Sequence, residues 1–241
     1  MFGDAYRRGH QRVVGFVDGR DLDVVVPACP DWTALDLLRH LAGDADDVVA
    51  RRLDGLASEE WTQAQLDRRS GMDADAVLEE WAGNVDAVAD ALDGIDAMGL
   101  PDSIPAAWGR TTPDALPATL ISDLLHHEFD LRNAYGDRNG RDLMDLHFSA
   151  GGHVRSIRGA FQARDLPTIR VESTDAGMGW DVGYGDPVAT LRAPSFALMR
   201  GIGGRRTRSE MVAMGWDGDP EPFVDAMVLP HLAMRETSLR E

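Results

Sequence analysis

Between residues 2 and 135, apolar side chains recur every three or four positions in four separate stretches. A chain patterned this way folds into helices that bury one stripe each against their neighbours. The first stretch, residues 2–17, carries Phe2, Tyr6, Val13 and Val17 at helical spacing, and the region of Gly19 stops it. The second opens at Thr33, whose hydroxyl can cap the helix while Asp36 completes a capping-box pair, and is expected to run to about Leu53 before Gly55. The third opens near Asp73, aligns Val77, Leu78, Trp81, Val85, Val88 and Leu92, and ends by Gly94 or Gly99. Trp81 reads as core. A Pro-, Gly- and Thr-rich segment over residues 100–117 precedes the fourth helix, residues 120–135, which Gly136 closes. Residues 143–162 give a fifth helical stretch, and residues 22–30 an extended, proline-bounded one.

After Asp165, Leu166 and Pro167 the texture changes. Residues 169–172 and 180–184 are short, β-rich and separated by glycine-containing turns. Residues 189–192 add a strand, and residues 195–201 and 222–229 two short helices. The expected fold class is therefore α+β, with a helical domain over residues 1–165 and a small α+β domain over residues 166–241.

Charge and residue choice narrow the function. With 41 acidic against 24 basic residues the net charge is -17, a field that repels nucleic acid and anionic membrane surfaces. Every basic residue is arginine, which removes a Schiff-base lysine and the P-loop lysine. One cysteine, Cys29, permits neither an intrachain disulfide nor a cysteine-rich zinc site, so a metal would need imidazole and carboxylate. Held between two prolines, Cys29 reads as a buried structural thiol. With no leader-like N-terminus and no apolar run of the roughly 18 residues a span needs, a cytoplasmic location is expected.

Of the seven histidines, His126 and His127 lie where carboxylates at helical spacing can reach the same ion. At about 100° per residue, Leu120, Leu124, Leu131 and Ala134 define an apolar face that includes His127, while His126 points away. Asp123 precedes His127 by four residues and Asp130 follows it by three, so both flank the imidazole. An i, i+4 pair can give two ligands to a zinc-type ion and leave a third to come from elsewhere. The same spacing is equally met by a core histidine hydrogen-bonded to Asp123 or Asp130. His40 lies off the apolar arc of its helix, near Asp36, Asp44 and Asp47, and by periodicity reads as solvated. His10, His147, His153 and His231 read as surface or packing residues. The run G-I-G-G-R-R-T-R at residues 201–208 reads as a solvated turn that could clamp an anion through Arg205 or Arg206.

Three stretches together resemble one family, the mycothiol-dependent maleylpyruvate isomerase-like proteins of the DinB superfamily. They are V-P-A-C-P-D-W-T-A-L-D-L-L-R-H-L-A at residues 26–42, D-L-L-H-H-E-F-D-L-R-N-A-Y-G at residues 123–136, and A-P-S-F-A-L-M-R-G-I-G-G-R-R at residues 193–206. The resemblance implies an up-down four-helix bundle followed by a small α+β domain. It also implies a divalent metal of zinc type held by His40, Asp123 and His127, with Asp130 behind them and Arg205 as the catalytic arginine. Asp123 stands where the isomerase proper has a glutamate. The activity that the resemblance implies is that of a thiol transferase or isomerase, using mycothiol on a small electrophilic substrate, as a monomer or homodimer. A metal-binding regulatory module, or a hydrolase using metal-bound water, would keep the same site, because fold and site can outlast an activity.

Overall fold

The computed structural model describes residues 2–241. The chain forms two compact units, Met1–Asp137 and Arg138–Glu241.

In the first unit, α1 (Phe2–Val17), α2 (Ala34–Val49), α4 (Ala74–Asp93) and α5 (Leu116–Ala134) make a four-helix bundle in which α1 packs on α4 and α5, and α2 on α4 and α5. The short helix α3 (Glu59–Arg69) lies against α2. Two small antiparallel hairpins complete the unit: β1 (Val25–Val26) with β2 (Cys29–Thr33), and β3 (Ile104–Ala106) with β4 (Gly109–Thr111). The extended segment before α2 is thus half of a hairpin that delivers the chain into the helix.

The local chemistry explains where these elements begin and end. Thr33 caps α2 as expected: its hydroxyl accepts the Asp36 N–H at 3.2 Å, while the Asp36 carboxylate accepts the Thr33 N–H at 3.0 Å. The helix stops at Val49 rather than near Leu53, because Arg51 takes a left-handed backbone (φ 57°) that breaks the ladder. Asp73 caps α4 through the Ala76 N–H. Helix α5 starts four residues before the predicted Leu120, with Pro117 in its first turn, where a missing N–H costs nothing. Helix α3 carries no apolar stripe at all. Its two buried residues are Gln65 and Arg69, so hydrophobic periodicity had nothing to detect.

Trp81 is fully buried in the bundle core, where its indole N–H donates to the Tyr6 hydroxyl at 2.9 Å and His10 meets it edge-on at 4.7 Å. His10 is therefore a packing residue.

The second unit holds a four-stranded sheet whose core is shared with helices. Strand β5 (Ile169–Ser173) pairs antiparallel with β6 (Met178–Val182) and parallel with β7 (Ala189–Ala193), which pairs antiparallel with β8 (Gly215–Asp217). Helices α6 (Met144–Ser156), α7 (Arg158–Ala163), α8 (Ser195–Ile202) and α9 (Arg208–Val212) belong to this unit. The contacts divide the chain at residue 137, not at residue 165 as the change of texture suggested. The reason is that Ala150, Val154, Ile157 and Phe161 of the fifth helical stretch share one core with Ile169, Val171, Leu191 and Leu198. Residues 222–229 give only a short 3-10 turn, Val224–Ala226. Phe223, Val224, Ala226 and Met227 are all buried there, which is a packed loop rather than a helix with one wet face.

Inside this second core sits His153, whose Nδ1–H donates to the Ser149 carbonyl at 2.9 Å. Burial pulls its pKa down to about 4, the Ser149 bond resists, and the charges of Arg205 and His231 add to the depression. The folded imidazole is neutral, whereas the unfolded one protonates near 6.5. Its contribution is therefore present above pH 6.5 and is lost as the pH falls toward 4, a change of roughly 3 kcal/mol. Denaturation of wild type and His153→Phe at pH 7 and pH 4.5, followed by tryptophan fluorescence, should show a smaller acid-induced loss in the variant. Equal losses would remove His153 from the acid response.

Candidate metal centre

Helices α2 and α5 bring His40, Asp123 and His127 together, with donor atoms all within 4.8 Å of one another. His40 Nε2 lies 3.4 Å from Asp123 Oδ2, and His127 Nε2 lies 3.5 Å from Asp123 Oδ1. The two imidazoles meet edge to face with ring centres 5.0 Å apart. Trp32, at the end of the β1–β2 hairpin, closes one side at 5.3 Å from His40 and 6.2 Å from His127. Both histidines are buried, while the Asp123 side chain keeps about a third of its surface exposed (34%), so solvent reaches the trio along the carboxylate.

His40 is not solvated. Helix α2 has α3, α4 and α5 around it, so its polar side is buried as well as its apolar stripe, with Asp44 and Asp47 inside too. Periodicity finds the apolar arc of such a helix but not the polar contacts that cover the remainder. His126 is also buried, yet it is not one of the trio.

The donor set suits a divalent ion. Asp123 Oδ2 and His127 Nδ1 are buried without a hydrogen-bond partner. The 3.4 and 3.5 Å gaps between imidazole and carboxylate match the roughly 3.4 Å that separates tetrahedral ligands on bonds of about 2.0–2.2 Å. Asp130 is fully buried, with Oδ2 3.2 Å from His127 Nδ1 but without the alignment of a hydrogen bond.

Charge is concentrated here. Burial pulls the His40 imidazole down, but the Asp44 carboxylate, then Asp123 and Gln65, push it up to about 9. Burial lifts the Asp44 carboxyl well above the usual carboxylate range, against the pull of His40. Burial would also lift Asp123, yet His127 and His40 hold it below the ordinary range. A carboxylate kept ionised between two buried imidazoles is an arrangement a cation can take over by displacing protons.

Several participants escaped sequence reasoning. Cys29 is only partly buried, and its sulfur lies in a second group with His127 and Asp130, donor atoms again within 4.8 Å. Gln65 on α3 touches His40 directly, its Oε1 2.7 Å from His40 Nδ1. Nothing in the spacing of α3 marks that residue. Trp32 precedes the cap of α2, and no local pattern gives it a role at the site.

Arg205 lies in the second unit, after α8, and one of its amino groups donates to the Gly203 carbonyl at 2.9 Å. The surrounding G-I-G-G-R-R-T-R run is no solvated turn. Arg206 pairs with Glu241 at 2.5 Å, Thr207 and Glu210 form a capping box on α9, and Arg208 pairs with Asp225 and Glu221 at 2.9 and 2.7 Å.

Known proteins share this domain and this fold. Residues 4–132 match the family model described as the mycothiol maleylpyruvate isomerase N-terminal domain, a span that includes His40, Asp123 and His127. A crystal structure of the mycothiol-dependent maleylpyruvate isomerase superposes with a TM-score of 0.59 at 13% identity, over 85% of this chain and 88% of that one. A crystal structure of a histidine-to-alanine mutant of the mycothiol-dependent maleylpyruvate isomerase gives 0.58 at 12% identity, over 84% and 88%. At such identities the likeness speaks for a shared fold. No curated protein matches the sequence. Since the family model takes in more than half of the chain, this protein belongs to the mycothiol maleylpyruvate isomerase N-terminal domain family.

Proposed function

We propose that the chain is a metal-dependent enzyme that uses mycothiol as thiol cosubstrate and acts on a small electrophile, as an isomerase or S-transferase. The observation that carries this reading is the His40, Asp123 and His127 set within the family domain, its donor atoms all within 4.8 Å of one another. These three side chains would hold a divalent ion of zinc type, leaving a coordination position for a cosubstrate. Bound there, such an ion lowers the pKa of a thiol, so that the cosubstrate meets its electrophile as thiolate.

The chain's own residues have separable tasks. Asp130 orients His127 from its Nδ1 side, at 3.2 Å. Trp32 covers both imidazoles and keeps water from that face. Asp123, the ligand with exposed surface, marks the side from which the two small molecules enter. From the family resemblance alone, Arg205 is proposed to bind the negative charge of a carboxylated substrate or adduct. Isomerisation and S-transfer then differ in one respect: whether the thiol is expelled after rotation in the adduct or leaves with the product.

The test is thiol dependence. Metal-loaded protein should consume a small activated electrophile, such as a cis-configured unsaturated dicarboxylic keto acid, only when mycothiol is added. Turnover that is indifferent to thiol would favour a hydrolase. Absence of any turnover, together with no mycothiol binding by calorimetry, would favour a regulatory module.

A further inference from the structure

We propose that Gln65 is a positioning residue that fixes which nitrogen of His40 faces the metal, an inference that rests on the metal-centre reading. A glutamine side chain offers two N–H donors on one side and an acceptor oxygen on the other. In this site both sides are committed. Gln65 Nε2 donates to Asp44 Oδ1 and to Asp47 Oδ2, each at 2.9 Å, and both acceptors are buried. Asp47, which also accepts from Arg52 and Arg68, faces only donors, so the NH2 end must meet it and the orientation of the amide is determined by its surroundings. Its oxygen must then face His40 Nδ1, at 2.7 Å. An amide oxygen accepts and never donates, so His40 carries its proton on Nδ1. A cation that displaces the second proton therefore finds the lone pair on Nε2, the nitrogen 3.4 Å from Asp123 Oδ2.

The amide is itself anchored. Asp47 is fully buried and accepts from Arg52 Nε at 2.7 Å and from Arg68 Nη2 at 2.6 Å. Arg69, also buried, donates to the Gln65 carbonyl at 3.1 Å and bonds Glu80 on α4 at 2.5 and 2.9 Å, which ties α3 into the bundle. A directed chain of donors and acceptors thus runs from the arginines through Asp47 and Gln65 to His40.

A second, independent feature shows that the close approach is built in. A Cβ at Gly43 would meet Gln65 Cβ at 2.6 Å and Cγ at 2.8 Å. Helix α2 has no side chain at the one position where Gln65 has to pass. The polar buried face of α3, which gives that helix no apolar signature, therefore has a purpose: it delivers one neutral amide to the back of His40. A carboxylate in its place would add a third negative charge beside Asp44 and Asp47. Neutrality at this position is part of the device.

The test uses the full-length protein and zinc alone as probe. In the zinc-loaded wild type, long-range 1H–15N NMR correlations of the His40 ring should place its proton on Nδ1 and the metal on Nε2. The proton on Nε2 would overturn the inference without any variant. Gln65→Met keeps the length and removes the polar ends. It should weaken zinc binding about 10–100-fold in chelator competition and lose the protected Nδ1–H resonance. Wild-type affinity in Gln65→Met would overturn the positioning role while leaving the metal centre standing. A wild type that takes up no zinc would instead overturn the metal centre, and this inference with it.

Discussion

Replacing His127 by alanine is expected to weaken binding of a zinc-type ion by a factor on the order of 10²–10³, because zinc binding worth about 10–16 kcal/mol is spread over four coordination positions, of which His127 would fill one. The expectation follows from geometry at both ends of one ring. His127 Nε2 stands 3.5 Å from Asp123 Oδ1, and its Nδ1 stands 3.2 Å from the buried Asp130. No other imidazole in the trio can take over, since His40 is held from behind by Gln65. Turnover should fall with the metal, and added zinc should restore little of it. Metal analysis after gel filtration, in parallel with competition against a chelator, reads the effect. Circular dichroism checks that the fold survives the loss of this buried ring.

The second large effect lies in the bundle core. Trp81→Ala is expected to destabilise the first unit by about 3–5 kcal/mol, which is a large share of the about 5–15 kcal/mol that holds a domain together. Trp81 has no exposed surface, and α1 covers it with Tyr6 and His10. Its removal leaves a cavity and an unpaired Tyr6 hydroxyl together. Tyr6→Phe separates the two contributions. It keeps the volume but deprives the indole N–H of its acceptor, for an expected loss of about 1–3 kcal/mol. Urea denaturation followed by circular dichroism measures both. A Trp81→Ala loss below about 1 kcal/mol would mean that the core collapses into the space at little cost.

Helices with one apolar stripe could be read from the amino acids, and those with polar burial could not. The stripe of α4 from Val77 to Leu92 and the Thr33–Asp36 cap of α2 are local patterns, and they fold as the local chemistry dictates. Helix α3 is invisible to the same reading, since Gln65 and Arg69 are what it buries. The place of residues 138–165 was lost for a different reason. An amphipathic helix announces that its stripe will be covered, but not whether a bundle or a sheet covers it, and here the sheet core does. At the site, the i, i+4 spacing of Asp123 and His127 is a one-helix feature and was open to inspection. His40 comes from another helix, so its partnership needed either the family resemblance or the fold. Gln65 needed the fold alone.

The metal centre is tested most directly by titrating the full-length, metal-free protein with cobalt(II) and reading its visible absorption alongside stoichiometry. One equivalent per chain should bind, with the intense absorption of a tetrahedral ion, and the band should collapse in His40→Ala and His127→Ala. Weak, non-stoichiometric binding with the pale spectrum of an octahedral aqua ion, or an undiminished band in both variants, would contradict the assignment of His40, Asp123 and His127 as ligands.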